Sequence, residues 1–131
     1  MIKWAGGLII FLGLGHTFAG VALTAPRHAG AWFSRDLWLP AGGFDSMTAA
    51  NGAFWLTTGS FGIPLAIIGM IILWMDRRGI EPPLFIAWLL GMWATVAAVI
   101  FEPAPWLLTW VASGLLVAGT RHNPRRPDPA P

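Results

Sequence analysis

The sequence predicts an all-α integral membrane protein: a four-helix bundle with both termini cytoplasmic and an external connection between its first two helices. Three observations lead there. Hydrophobic residues make up 56% of the 131-residue chain and charged residues 11%, where an ordinary soluble domain carries about 25% charged. A soluble fold of this length needs a charged exterior around one modest core, whereas a bilayer protein is solvated by lipid tails. The apolar residues also fall into four long runs, separated by proline, glycine and charge. Within each run, the few polar side chains share a helical face with glycine and other small residues.

A helix crosses a bilayer with about 20 apolar residues, within a range of about 17–25. The first run, about 4–23, meets this, as does the second, about 53–75. The third, about 84–101, is just long enough, and the fourth, about 105–120, leans on Trp106 and Trp110 at its edge. None shows the alternation of a membrane β-barrel strand. Pro26 and Gly30 are expected to end the first helix. Asp45 or Ser46 is expected to cap the second, and Pro64 to kink it and free a carbonyl near position 60. Asp76-Arg77-Arg78-Gly79 with Pro82-Pro83, and then Glu102-Pro103-Ala104-Pro105, divide the remaining runs. The tail 121–131 is basic and proline-rich and reads as disordered.

Orientation follows from the basic residues. Four crossings put Lys3, Arg77, Arg78, Arg121, Arg125 and Arg126 on one side and only Arg27 and Arg35 on the other. The richer side is cytoplasmic. The Thr24–Gly52 connection is then external, and Trp32, Phe33, Leu37, Trp38 and Leu39 predict a short interfacial segment within it. Met1-Ile2-Lys3 before an apolar run also resembles a secretory leader. The length of the run and its glycine stripe favour a retained span.

At about 100° per residue, Gly6, Gly13 and Gly20 form one stripe, with His16 and Thr17 beside them and Phe11, Leu14 and Phe18 opposite. The second run aligns Asn51, Trp55, Thr58, Gly62, Ala66 and Gly69. The third aligns Trp88, Gly91, Thr95, Ala98 and Glu102, and the fourth Thr109, Ser113 and Thr120. These are expected to be the inward faces, because small residues let membrane helices approach and polar ones avoid hydrocarbon. Glycine, serine and threonine need no account beyond packing. His16, Asn51 and Glu102 cost more to bury, and an ionisable group inside a membrane is a candidate functional group.

Counting depth at about 1.5 Å per residue puts His16, Asn51, Thr58, Thr95 and Glu102 in the outer half of the bilayer. They are the candidate ligand-binding residues, around a polar cavity opening outward. His16 and Glu102 are also candidate acid and base, though each has a structural alternative. The imidazole can tie the first helix to a threonine or a freed carbonyl, and the carboxylate can accept bonds from the first amides of the fourth helix. With no cysteine and one intramembrane histidine, no thiolate chemistry, metal site or cofactor is expected. No phosphate loop or base-reading helix points to nucleic acid. The expected partners are the lipid bilayer, a lipophilic small molecule, and a second copy or another membrane protein.

The stretches MIKWAGGLIIFLGLGHT, AWFSRDLWLP, NGAFWLTTGSFGIPL, WMDRRGI followed by PP and FIAW, and FEPAPW together resemble the small bacterial membrane proteins grouped as domain of unknown function 6463. The resemblance runs from about Met1 to Ala118. It implies a four-helix layout, similar to that of DoxX-like proteins, and a bacterial inner-membrane address. It brings no catalytic residues.

Three functions fit this reading. The first is a binding or scaffold protein for a lipophilic molecule or a membrane partner. The second is a membrane-embedded isomerase or cyclase using His16 and Glu102 on a small lipophilic substrate. The third is a small oligomeric transporter, with His16 where such proteins usually carry a carboxylate.

Overall fold

The computed structural model describes residues 1–34, 37, 46–100 and 106–122. They form five helices: α1 (Ile2–Trp32), α2 (Ala49–Leu56), α3 (Gly62–Arg77), α4 (Leu84–Ile100) and α5 (Trp106–Arg121). No strand occurs among the described residues. The all-α class is therefore as the sequence predicts, but the expected count of four helices is corrected to five. By length and composition α1 can cross a membrane, and α4 is a shorter apolar helix. Only 17% of the most apolar window of α1 is buried, which sets it apart from the enclosed core helix of a soluble protein.

The fifth helix arises because the second apolar run breaks instead of kinking. A mid-helix proline removes one backbone bond and crowds the carbonyl four residues earlier. Here α2 ends at Leu56, and Thr57 leaves helical geometry at φ −118°, ψ −84°. The amides of Thr57 and Gly59 both turn back to the Phe54 carbonyl. Helix α3 then begins afresh, with Leu65 N–H donating to Phe61 O at 2.8 Å. Pro64 thus lies in the first turn of α3, where amides lack intrahelical partners and its missing N–H costs little.

At Pro26 the outcome is reversed. The expected stop does not occur, and α1 continues through Pro26 and Gly30 to Trp32. One lost bond is tolerated because the last turns are anchored from outside. Trp32 Nε1 donates to Ala50 O at 2.8 Å, and the indole meets Phe54 edge-on at 6.1 Å. His28, expected in a loop, is helical and stacks on Trp32 at 6.5 Å. The cap expected at Asp45 or Ser46 is supplied by Thr48, whose Oγ1 accepts from Asn51 N–H at 3.3 Å. Asp45, Trp38 and Leu39 lie outside the described residues, as do Glu102 and the tail beyond His122.

Two compact units divide the chain, one of Ile10–Ile67 and one of Met1–Ile9 with Ile68–Pro131. In the first, α1 and the start of α3 meet through glycine. A Cβ placed on Gly13 would strike the Gly62 carbonyl and lie 2.6 Å from Ala66 N, and one on Gly20 would lie 2.7 Å from Thr57 Cγ2. Gly15, off the stripe, has open space around it. Phe11 and Phe18, on the opposite side of α1, are exposed.

The second unit has its own core, in which Ile9, Ile72 and Leu116 are wholly enclosed. Gly6 packs on Leu73 and Gly119 on Ile2. Helix α3 ends on Gly79 at φ +70°, with Ile80 N–H reaching back to Met75 O and Gly79 N–H to Asp76 O. This is the paired-bond stop that glycine permits after a helix. Helices α4 and α5 then pack side by side. The expected α5 face is found, since Thr109, Ser113 and Thr120 are buried. The expected α4 face is found only in part: Gly91 and Ala98 are half-buried, with Gly91 beside Ser113, but the buried residues are Ala87, Leu90 and Ala94, while Trp88 and Thr95 are exposed. The Thr95 hydroxyl donates to Gly91 O of its own helix at 2.8 Å and accepts from Trp110 Nε1 of α5 at 3.1 Å.

Candidate functional site

The polar groups of the Ile10–Ile67 unit converge where α1 crosses the start of α3. The crossing is as close as backbones allow, because glycine stands on both sides. A Cβ on Gly62 would overlap Thr17 Oγ1 and lie 2.8 Å from Gly13 O and 3.2 Å from His16 Cδ2. This approach places the His16 ring against the segment between α2 and α3.

There His16 Nε2 lies 2.8 Å from Ser60 Oγ, and its ring stacks on Phe61 with centroids 4.3 Å apart and planes 30° from parallel. Ser60 Oγ is also 2.8 Å from Thr57 O, to which it donates. The Thr57 side chain donates in turn to Ala53 O at 2.6 Å. Thr17 Oγ1 donates to Gly13 O at 3.0 Å. Each hydroxyl therefore serves a carbonyl that the helix break or the first helix leaves available.

A serine hydroxyl has one hydrogen. If it goes to Thr57 O, Ser60 must accept from His16, which fixes the neutral imidazole as the Nε2–H tautomer. The node is then a structural tie closing the helix break. If the hydrogen turns to His16 Nε2, the pair has the orientation of a nucleophile and its base. Thr57 O then loses its donor. The first arrangement satisfies more groups, and nucleophilic use would need a ligand that compensates Thr57 O.

The other predicted site residues are placed as follows. Asn51 is buried in the first turn of α2, where its amide is held by the Thr48 cap. Thr58 is half-buried within the break. Thr95 belongs to the other unit, where it accepts from Trp110 Nε1 at 3.1 Å. Glu102 lies outside the described residues, and the partner of His16 among the described ones is the Ser60 hydroxyl. Among the described residues no histidine and carboxylate cluster suited to a metal ion occurs.

Sequence reasoning missed Ser60. Its signal was available in the polar run Thr57-Thr58-Gly59-Ser60, which ends four residues before Pro64 in an otherwise apolar stretch. Helix ends leave carbonyls without intrahelical donors, and a hydroxyl nearby can supply one, as Ser60 does for Thr57 O.

No protein-family model, curated protein or solved structure matches the chain.

Proposed function

We propose that the chain is a multi-pass protein of a bacterial inner membrane that binds a lipophilic molecule, without catalysis of its own. Five helices make four crossings in this reading, with α2 and α3 sharing one, and both ends are cytoplasmic. The resemblance to the domain of unknown function 6463 proteins belongs to the same proposal. The supporting observation is the exposed surface of the helices outside α1. Trp74 on α3, Val99 on α4 and Leu107 on α5 are 52%, 83% and 67% exposed, each among further exposed apolar neighbours. A soluble protein rarely leaves so many large apolar side chains uncovered on its helices, whereas lipid solvates them.

The test is fractionation of expressing cells followed by an alkaline carbonate wash and intact-mass measurement. The expected result is a chain of full mass in the washed membrane pellet. Recovery in the supernatant contradicts the reading. A mass lacking the first helix makes that helix a cleaved leader and removes the four-crossing topology.

A second reading, membrane-embedded acid–base catalysis, draws on the 2.8 Å approach of His16 to Ser60. Under it, His16→Ala abolishes turnover of a small lipophilic substrate and leaves the fold intact. Under the tie, the same substitution lowers stability.

A further inference from the structure

The α4–α5 pair carries a cleft of about 720 Å³ whose wall and mouth differ in chemistry. Small residues make the space. A Cβ on Gly114 would meet nothing within 4 Å, and one on Gly91 would reach only ordinary contact with Ser113 at 3.6 Å. Met92, Trp88 and Val117 give the wall its apolar character. At the far end the polar groups are already matched, Trp110 Nε1 to Thr95 Oγ1 and Thr95 Oγ1 to Gly91 O. That end suits hydrocarbon.

The near end is different. Arg121 and His122 line it, both exposed, at the close of α5. From Trp110 to Arg121 the helix rises about 16 Å, at about 1.5 Å per residue. Between them Ser113, which is 7% exposed, lines the cleft with an Oγ that is buried and has no hydrogen-bond partner. A serine inside a helix usually returns its hydroxyl to a carbonyl one turn back. A buried hydroxyl without a partner calls for a group to match it.

An apolar trough, an unmatched hydroxyl along it and a guanidinium at its mouth describe one kind of occupant. We propose that this cleft holds an anionic phospholipid, with its phosphate at Arg121 and His122 and one acyl chain along Gly114, Gly91 and Met92. Ser113 Oγ is closed off in its present rotamer, and a turn about its Cα–Cβ bond would aim it at an ester carbonyl of the lipid. The proposal rests on the membrane reading above and names the lipophilic ligand it requires. A cation in the last turn of a helix also complements the helix dipole. That role alone predicts a stability effect from Arg121 and no lipid preference.

The test is native mass spectrometry of the full chain in neutral detergent, titrated with phosphatidylglycerol or phosphatidylcholine of identical acyl chains. The wild-type chain is expected to retain phosphatidylglycerol preferentially. Arg121→Gln should cut that preference about fivefold, the factor for about 1 kcal/mol per cation near an anionic headgroup. Gly114→Trp should fill the trough and weaken retention of both lipids. Equal binding of the two lipids by the wild type, or an unchanged preference in Arg121→Gln, overturns the proposal. Retention unchanged in Gly114→Trp does so as well. Displacement of phosphatidylglycerol by inorganic phosphate at equal concentration would make the mouth a free-anion site and overturn the acyl-chain contact. A chain that stays in carbonate-washed membranes yet shows no lipid preference sinks this proposal alone. A chain in the soluble fraction sinks the membrane reading with it.

Discussion

Two glycine pairs in this molecule are small for opposite reasons. Gly13 and Gly62 are small because backbones touch there, so that an added Cβ would overlap a carbonyl or a hydroxyl. Gly91 and Gly114 stand beside a cleft, where an added Cβ meets ordinary contact or nothing. Polar groups follow the same division. At the α1–α3 crossing His16, Ser60 and Thr57 are tied to one another, whereas along the α4–α5 cleft Ser113 Oγ is buried without a partner. Glycine content alone therefore does not distinguish a packing seam from a ligand trough. What the missing Cβ would have met identifies the seam, and the cleft beside Gly91 and Gly114 sets them apart from a glycine such as Gly15 that simply faces open space.

The largest effect that would sharpen this contrast is at Gly62. Gly62→Val puts atoms where Thr17, Gly13 and His16 already stand, and the cost is expected at about 3 kcal/mol or more. Denaturation in detergent, followed by tryptophan fluorescence, reads it. A variant as stable as wild type would mean that the two helices do not touch there.

Ser60→Ala comes next. It leaves Thr57 O and His16 Nε2 without their described partner, at an expected cost of about 1–3 kcal/mol. A double-mutant cycle with His16→Ala should return a coupling of about 1 kcal/mol, within the range for polar pairs between membrane helices. Additive single effects would dissolve the tie.

On the other side of the comparison the signs change. Gly114→Ala should raise stability by roughly 0.5–1 kcal/mol, because it stiffens the helix and its Cβ meets no neighbour. Ser113→Ala should be the smallest change, within about 0.5 kcal/mol in delipidated protein, since its hydroxyl makes no hydrogen bond to lose. A clear loss of stability in Ser113→Ala would show that the hydroxyl is matched within the protein.

Much of the first helix was legible in the sequence. Gly6, Gly13 and Gly20 recur at a spacing that holds one face, and that face is the one in close contact. Its end was not legible, because the anchor that carries α1 past Pro26 is Trp32 on Ala50, a contact between distant residues. Pro64 marked the right place in the second run but not the outcome. A break leaves more carbonyls open than a kink does, and here the Thr57 and Ser60 hydroxyls donate to two of them, Ala53 O and Thr57 O. The face of α4 was misread in part. A threonine that bonds its own backbone carries no signal of direction, so small residues at Ala87 and Ala94 decide the packing. Of the candidate site, His16 could be singled out by its rarity in an apolar helix, whereas Ser60 was missed although it closes the polar run Thr57-Thr58-Gly59-Ser60.

The most direct test of the central claim, a multi-pass topology with both ends cytoplasmic, uses the absence of native cysteine. Single substitutions Ser46→Cys, Glu81→Cys and His122→Cys, all at exposed positions, report sidedness to a membrane-impermeant maleimide. In intact spheroplasts Ser46→Cys is expected to label, while Glu81→Cys and His122→Cys label only after permeabilisation. Labelling of Glu81→Cys in intact spheroplasts, or identical labelling of all three, would contradict the account.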